Sequence, residues 1–262
     1  MSDTIRFENG AAYERYMGRW SQLVGEAFID WLAPETGLRW LDVGCGNGAF
    51  TEMIAARCAP AALAGIDPSE AQLAFARSRP ALQAARLEQG DAMALPLSDD
   101  SVDVAVMPLV LFFVPDPGRG VGEMARVVCP GGTVAAYSWD MEGGGFPYSI
   151  LRAELEQLGA RTPEAPREDV SRLDVSHKLW QAAGLQAIET RTMTVQRTFA
   201  SFDDYWNTIL GGPSVGATLK ALSGRNVTLL QDRLRVRLPA DAAGHITYSS
   251  TSNAVKGRVP QA

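Results

Sequence analysis

The chain has 262 residues, 46% hydrophobic and 21% charged, which suits one large domain with a sizeable core. Its net charge of −6 and pI of about 5.1 argue against nucleic acid as the main partner, because duplex binders carry a basic surface. Cys45, Cys58 and Cys129 sit at no metal-ligand spacing and the only histidines are His177 and His245, so neither a disulfide framework nor a metal is expected.

The opening MSDTIRFENG lacks the basic and apolar regions of a signal peptide, and no apolar run reaches membrane-span length. A cytoplasmic protein without a membrane span is therefore the expectation. Residues 11–32 read as an amphipathic helix. Tyr16, Trp20, Leu23, Ala27 and Trp31 recur at helical spacing, beside a polar stripe of Arg15, Arg19, Gln22, Glu26 and Asp30. An alternation follows, with strands at 38–43, 62–66, 85–89, 102–107 and 132–139. Helices are predicted at 49–58, 68–78 and 117–129, the last stopped by CPGG. Such an α/β rhythm implies a parallel sheet with helices on both faces.

After Asp140 the rhythm changes. Residues 148–158 and 171–183 read as helices, and 185–199 and 245–259 as a long antiparallel strand pair closing the sheet. Between those strands, SFDDYWNTILGG reads as a helix capped by Ser201, with Phe202, Trp206, Ile209 and Leu210 on its apolar face. NVTLLQDRLRVRLP reads as a further helix, its Arg233, Arg235 and Arg237 on a solvated face. No linker is evident, so residues 1–262 form one expected domain with a helical cap insertion over about 200–243.

In an open parallel sheet, ligands bind outside the carboxyl ends of the strands. There LDVGCGNGAF places Gly44, Gly46 and Gly48 between a strand and a helix. A dinucleotide fingerprint would need its third glycine five residues after the first; here it comes four after. Asp67 ends the second strand, about 20 residues beyond the glycines, where a carboxylate accepts from both ribose hydroxyls of an adenosine. The same Asp67-Pro68-Ser69-Glu70 also reads as a plain helix start. Asp91 follows the third strand, where a carboxylate accepts from an exocyclic amine.

The set Asp42 to Gly48, GIDPSE, GDAMALPLSDDSVDVAV and MARVVCPGGTVAAYSW resembles class I S-adenosylmethionine-dependent methyltransferases. It is most similar to their small-molecule (type 11) branch, which includes ubiquinone/menaquinone-type and trans-aconitate-type enzymes. The resemblance covers about residues 10–140. It implies a Rossmann-like seven-stranded sheet, its last strand antiparallel. It implies S-adenosylmethionine as cofactor, S-adenosylhomocysteine as product, and in-line methyl transfer to a small-molecule acceptor. The cofactor-binding set it implies is Asp42, Gly44, Gly46, Asp67, Pro68 and Pro108, with Asp91, Ala92 and Met93 at adenine. Residues 1–35 would close over the cofactor, with Tyr16 and Arg19 facing its methionine carboxylate.

MPLVLFFVPDP follows the fourth strand, where the acceptor is met. It lacks the N/D-P-P-Y/F motif of amino-group methyltransferases, and Pro108 and Leu109 stand where many relatives have His or Asn, so no catalytic base is assigned. Tyr148, Tyr205 and Trp206 are candidates for the acceptor cavity, though packing explains them as well. A catalytically silent cofactor-binding protein and a nicotinamide oxidoreductase are the alternatives. The acceptor, the attacking element and the oligomeric state are not encoded legibly.

Overall fold

A computed structural model describes residues 14–160, 165–212 and 215–261. Residues 1–13 of the expected N-terminal segment lie outside that set. A π-helical turn, Glu14–Gly18, runs into α1 (Arg19–Leu32). There follow β1 (Arg39–Val43), α2 (Ala49–Arg57), β2 (Ala62–Asp67), α3 (Glu70–Arg77), β3 (Arg86–Gln89), β4 (Val102–Pro108), α4 (Pro117–Val127) and β5 (Val128–Trp139). The remainder comprises α5 (Ser149–Gln157), α6 (Leu173–Ala182), β6 (Gln186–Phe199), α7 (Phe202–Leu210), α8 (Gly216–Ala221), α9 (Gly224–Arg237) and β7 (Ile246–Arg258).

The seven strands form one sheet in the order β3-β2-β1-β4-β5-β7-β6. The first five are mutually parallel, and β7 lies antiparallel between β5 and β6. This is the Rossmann-like methyltransferase architecture that the motifs imply. The chain steps outward from β1 to β3 and then returns to β4 on the other side of β1. The carboxyl ends of β1 and β4 therefore flank the switch point where such sheets bind ligands.

Alternation across the strands divides the core in two. Trp40, Val104, Val106, Ala135 and Tyr137 pack with α1, α5, α7 and α9 on one face. Leu41, Val43, Ala105, Met107, Val134 and Ala136 pack with α4 and α6 on the other. Trp180 of α6 donates its indole N–H to the Val134 carbonyl at 2.9 Å. It lies against Gly257 of β7, where an added Cβ would stand 2.9 Å from the ring.

Some expectations shift in detail. The buried line of α1 is Trp20, Val24 and Phe28, while Leu23, Ala27 and Trp31 are half-buried. The helix lies in the angle between the sheet and α2, where Phe28 meets both Tyr137 and Phe50, so its buried side spans more than one stripe. CPGG does not precede β5 but bulges within it. Val128 pairs with Val102, and pairing resumes at Thr133 with Val104. Gly131 is left-handed there (φ +78°), and a Cβ on Gly132 would lie 2.6 Å from the Asp103 carbonyl. On α7 the buried residues are Tyr205 and Ile209, and Leu210 is exposed, because the helix lies on Phe199 of β6. The residues around Arg233 are helical as expected, yet its face is not simply solvated. Arg233 and Arg237 reach the buried Glu154 of α5 at 3.4 and 3.0 Å. Among the described residues, no helix is long and apolar enough to cross a membrane.

Gly257→Ala is expected to overpack Trp180 and lower stability by about 1–3 kcal/mol, read as a fall in thermal midpoint. An unchanged midpoint would show that the Trp180–Gly257 contact is slack.

Candidate cofactor site

The site begins with a backbone problem. Between β1 and α2 the chain must reverse within a few residues, and Gly44, Gly46 and Gly48 all adopt positive φ (+76°, +52° and +80°). Gly44 is also fixed by contact, since an added Cβ would lie 2.5 Å from the Val110 side chain. At Gly46 an added Cβ would meet nothing nearer than 4.0 Å, so open space lies against this residue. The loop is held to the tip of β2, where the N–H groups of Gly44 and Cys45 both donate to the Ile66 carbonyl at 2.7 and 3.1 Å.

Asp67 stands beside that loop. Its Oδ2 accepts from the Gly46 N–H and its Oδ1 from the Ser69 N–H, each at 2.8 Å. Ser69, not Asp67, caps α3, accepting from the Gln72 N–H, so the plain helix-start reading of Asp67 gives way. Burial raises the Asp67 pKa, and the two amide hydrogen bonds oppose the rise. Asp42, at the end of β1, is fully buried. Its Oδ2 accepts from the Thr51 hydroxyl at 2.7 Å, while its Oδ1 has no partner among the described residues. Burial, reinforced by the charge of Asp67, pushes its pKa up to about 7.

These groups open on a cavity of about 960 Å³. Of the residues singled out by sequence, Arg19, Asp42, Gly44, Gly46, Asp67, Pro68 and Pro108 line it. Arg19 lies on its α1 wall and donates to Gln22 at 2.8 Å. Tyr16 does not line it; its ring stacks on Tyr148 with centroids 4.3 Å apart, and the Tyr148 hydroxyl donates to the Tyr16 carbonyl at 2.7 Å. Asp91, Ala92 and Met93 lie at the end of β3, outside the cavity lining, and Asp91 Oδ1 accepts from the Met93 N–H at 2.8 Å.

Other residues emerge only in three dimensions. Arg79, largely buried, donates to the Asn47 carbonyl at 2.7 Å, to Glu52 at 2.6 Å and to Glu14 at 3.1 Å. It thereby ties the glycine loop, α2 and the N-terminal turn together along the cavity rim. Leu109 follows β4 at φ +60°, a conformation that disfavours side chains, and its N–H donates to the Tyr137 carbonyl at 2.8 Å. Together with Phe50, Met53, Val110, Phe113 and Tyr137 it gives the cavity an apolar wall. Phe112, by contrast, is buried in the opposite core.

Among the described residues, no nucleophile of the protein's own is poised here. Burial and the neighbouring Asp42 and Asp67 charges hold the Cys45 thiol protonated. His177 and His245 are exposed and outside the lining, and Tyr148, Tyr205 and Trp206 pack elsewhere. What the arrangement offers is buried negative charge, bare backbone and an apolar wall.

A family profile described as a methyltransferase domain matches residues 41–136. The malonyl-[acyl-carrier protein] O-methyltransferase of Methylococcus capsulatus is 31% identical over 228 residues, covering 86% of this chain and 74% of that one. The ubiquinone/menaquinone biosynthesis C-methyltransferase of Roseobacter denitrificans is 37% identical over 112 residues, which span 41% of this chain and less than half of that one, 44%. Among solved structures, phosphoethanolamine N-methyltransferase 2 of Haemonchus contortus, in complex with phosphomonomethylethanolamine and S-adenosylhomocysteine, shares the fold. Its TM-score is 0.61 at 19% identity, covering 99% of this chain and 59% of that one. With this sheet order and this glycine loop, the chain belongs to the class I S-adenosylmethionine-dependent methyltransferases, and S-adenosylmethionine is its cofactor.

Proposed function

We propose that this enzyme methylates a small-molecule acceptor by in-line displacement, and that its residues act chiefly by binding, orienting and excluding water. The observation that carries the reading is the pair of acids at the switch point. Asp67 is fixed by two backbone amides, and Asp42 keeps one buried oxygen unpartnered at the cavity floor. Buried polar atoms are ordinarily hydrogen-bonded, so the free oxygen fits a bound group that brings a donor or a positive charge. The cofactor supplies a methyl group already activated on positive sulfur.

In this reading Asp67 receives the ribose hydroxyls, since each of its oxygens retains a lone pair after accepting one amide. Gly44 and Gly46 let the backbone approach the methionine part, Pro68 and Pro108 border it, and Arg19 faces its carboxylate. Asp42 stabilises the cationic end. Asp91 and the Ala92 and Met93 backbone take the adenine one strand further along. Tyr16 holds the N-terminal segment in place through Tyr148 rather than touching the cofactor. That segment closes the site and α7–α9 cap it, within a single domain.

The wall formed by Leu109, Val110, Phe113 and Tyr137 carries no base of its own, the carboxylates that line the cavity are Glu14, Asp42, Glu52 and Asp67, and no catalytic base is assigned. Catalysis then comes from alignment near the methyl carbon and from a dry environment.

Asp67→Ala is expected to weaken S-adenosylhomocysteine binding by about 10- to 100-fold, a loss of charge-assisted bonds, measured by titration calorimetry. Retention of wild-type affinity would overturn the assignment. A second prediction concerns pH. Because the folded-state pKa of Asp42 is raised to about 7, the group favours the unliganded fold most below its unfolded pKa of about 3.9. That contribution is lost as pH rises through 7. Relative to Asp42→Asn, the wild type should therefore lose on the order of 2–4 kcal/mol between pH 4 and pH 8. Denaturant unfolding of both proteins across that range checks it; parallel pH curves would show that Asp42 is not the group responsible.

A further inference from the structure

The face of the β6–β7 ladder beneath α1 is mostly apolar. Met193, Val195 and Phe199 point inward along β6 and Ile246 along β7, all buried. Arg197 falls on the same face by the two-residue period, opposite Tyr248, and Ser250 lies one rung away, opposite Val195. An arginine here is out of keeping with its surroundings.

Its Nη1 is buried without a hydrogen-bond partner among the described residues, and the guanidinium lies over the Phe199 ring at 4.3 Å. No carboxylate among the described residues pairs with it; the neighbouring Asp204 accepts from the Ala200 N–H at 3.0 Å instead. Ser250, 1% exposed, also has a buried hydroxyl oxygen without a partner. Burial lowers the Arg197 pKa, the Tyr148 hydroxyl and the Asp204 carboxylate oppose the fall, and the like charge of Arg19 adds a smaller lowering, so Asp204 and Arg19 are both within electrostatic reach of Arg197. Arg19 lines the cofactor cavity, and among the described residues it has no carboxylate partner either.

A cation on a buried face is costly unless a counter-charge meets it. Here a buried guanidinium nitrogen and a buried hydroxyl share one face without partners, and Asp204, the carboxylate within electrostatic reach, forms no ion pair with Arg197. Arg197 also lies near the carboxyl end of β6, the edge of the sheet on which the cavity opens. We propose that the methyl acceptor carries an anionic oxyacid group, a carboxylate or a phosphate, and that Arg197 binds it, with Ser250 beside it. The inference rests on the methyltransferase reading above and adds the acceptor's chemical class. A planar guanidinium suits an oxyacid because it donates two parallel hydrogen bonds.

The test uses the full chain saturated with S-adenosylhomocysteine. Malonate, succinate and phenyl phosphate are titrated by calorimetry, each against a neutral counterpart (malonamide, succinamide, phenol). At least one acidic probe is expected to bind while its counterpart does not. Arg197→Gln should weaken that binding about tenfold or more and Arg197→Lys by less, because a bidentate donor is replaced by none or by a point charge. Affinity for S-adenosylhomocysteine should stay unchanged in both. Should Arg197→Gln fail to fold, Ser250→Ala serves in its place, with a severalfold weakening expected. Neutral probes binding as well as acidic ones, no acidic probe binding, or acid binding untouched by the variants would each overturn the proposal. Failure of the wild type to bind S-adenosylhomocysteine would instead strike the reading on which it rests.

Discussion

The hydrogen bond from the Gly46 amide to Asp67 joins the two halves of the site. It links the loop after β1 to the tip of β2, and it exists only because Gly46 tolerates a left-handed backbone that turns its N–H toward the carboxylate. With the Ser69 amide on the other oxygen, the side chain is fixed in place before any ligand arrives. Fixed dipoles and charges aimed at a ligand need no reorganisation when it binds. Asp42 and Arg79 extend this arrangement, one from below and one along the rim.

The acids set a tension within the site. Asp42 and Asp67 lie close enough to raise the cost of ionising the former, and both are buried. Two buried carboxylates destabilise the fold as their charge develops, yet the same charge attracts a cationic ligand. Function is placed where buried charge costs stability, as is common when a site must favour a charge it does not itself contain. The strained Leu109 backbone just after the neighbouring strand β4 belongs to the same pattern.

Much of this was readable in one dimension because it is local. The glycine spacing, Asp67 at the end of its strand and the alternating apolar runs each lie within a few residues of the feature they specify. The sharp glycine turn, the parallel strands and the antiparallel closing pair followed from them. Contacts that join distant segments were silent. Nothing near Arg79 announces Glu14 and Asn47, and nothing in RLRVR announces Glu154, which lies 79 residues from Arg233 and 83 from Arg237. Arg197 reads in sequence as one more residue of a polar strand. Only pairing with β7 and cover by α1 place it on the inner face. Tyr16 shows the reverse case, where a residue with a ligand-facing expectation is drawn into aromatic packing by Tyr148.

The place of β7 bears on how the molecule is made. It is the last strand in the sequence, yet it lies between β5 and β6. During synthesis, β5 and the edge strand β6 leave the ribosome with no means of joining, and the helices α7–α9 must follow before the missing strand arrives. Until then both expose open edges and the underside of α1, surfaces prone to mispairing. Docking of β7 at once completes the sheet and fixes the inner face of β6 on which Arg197 lies, so the order in which these strands emerge decides when that face takes shape.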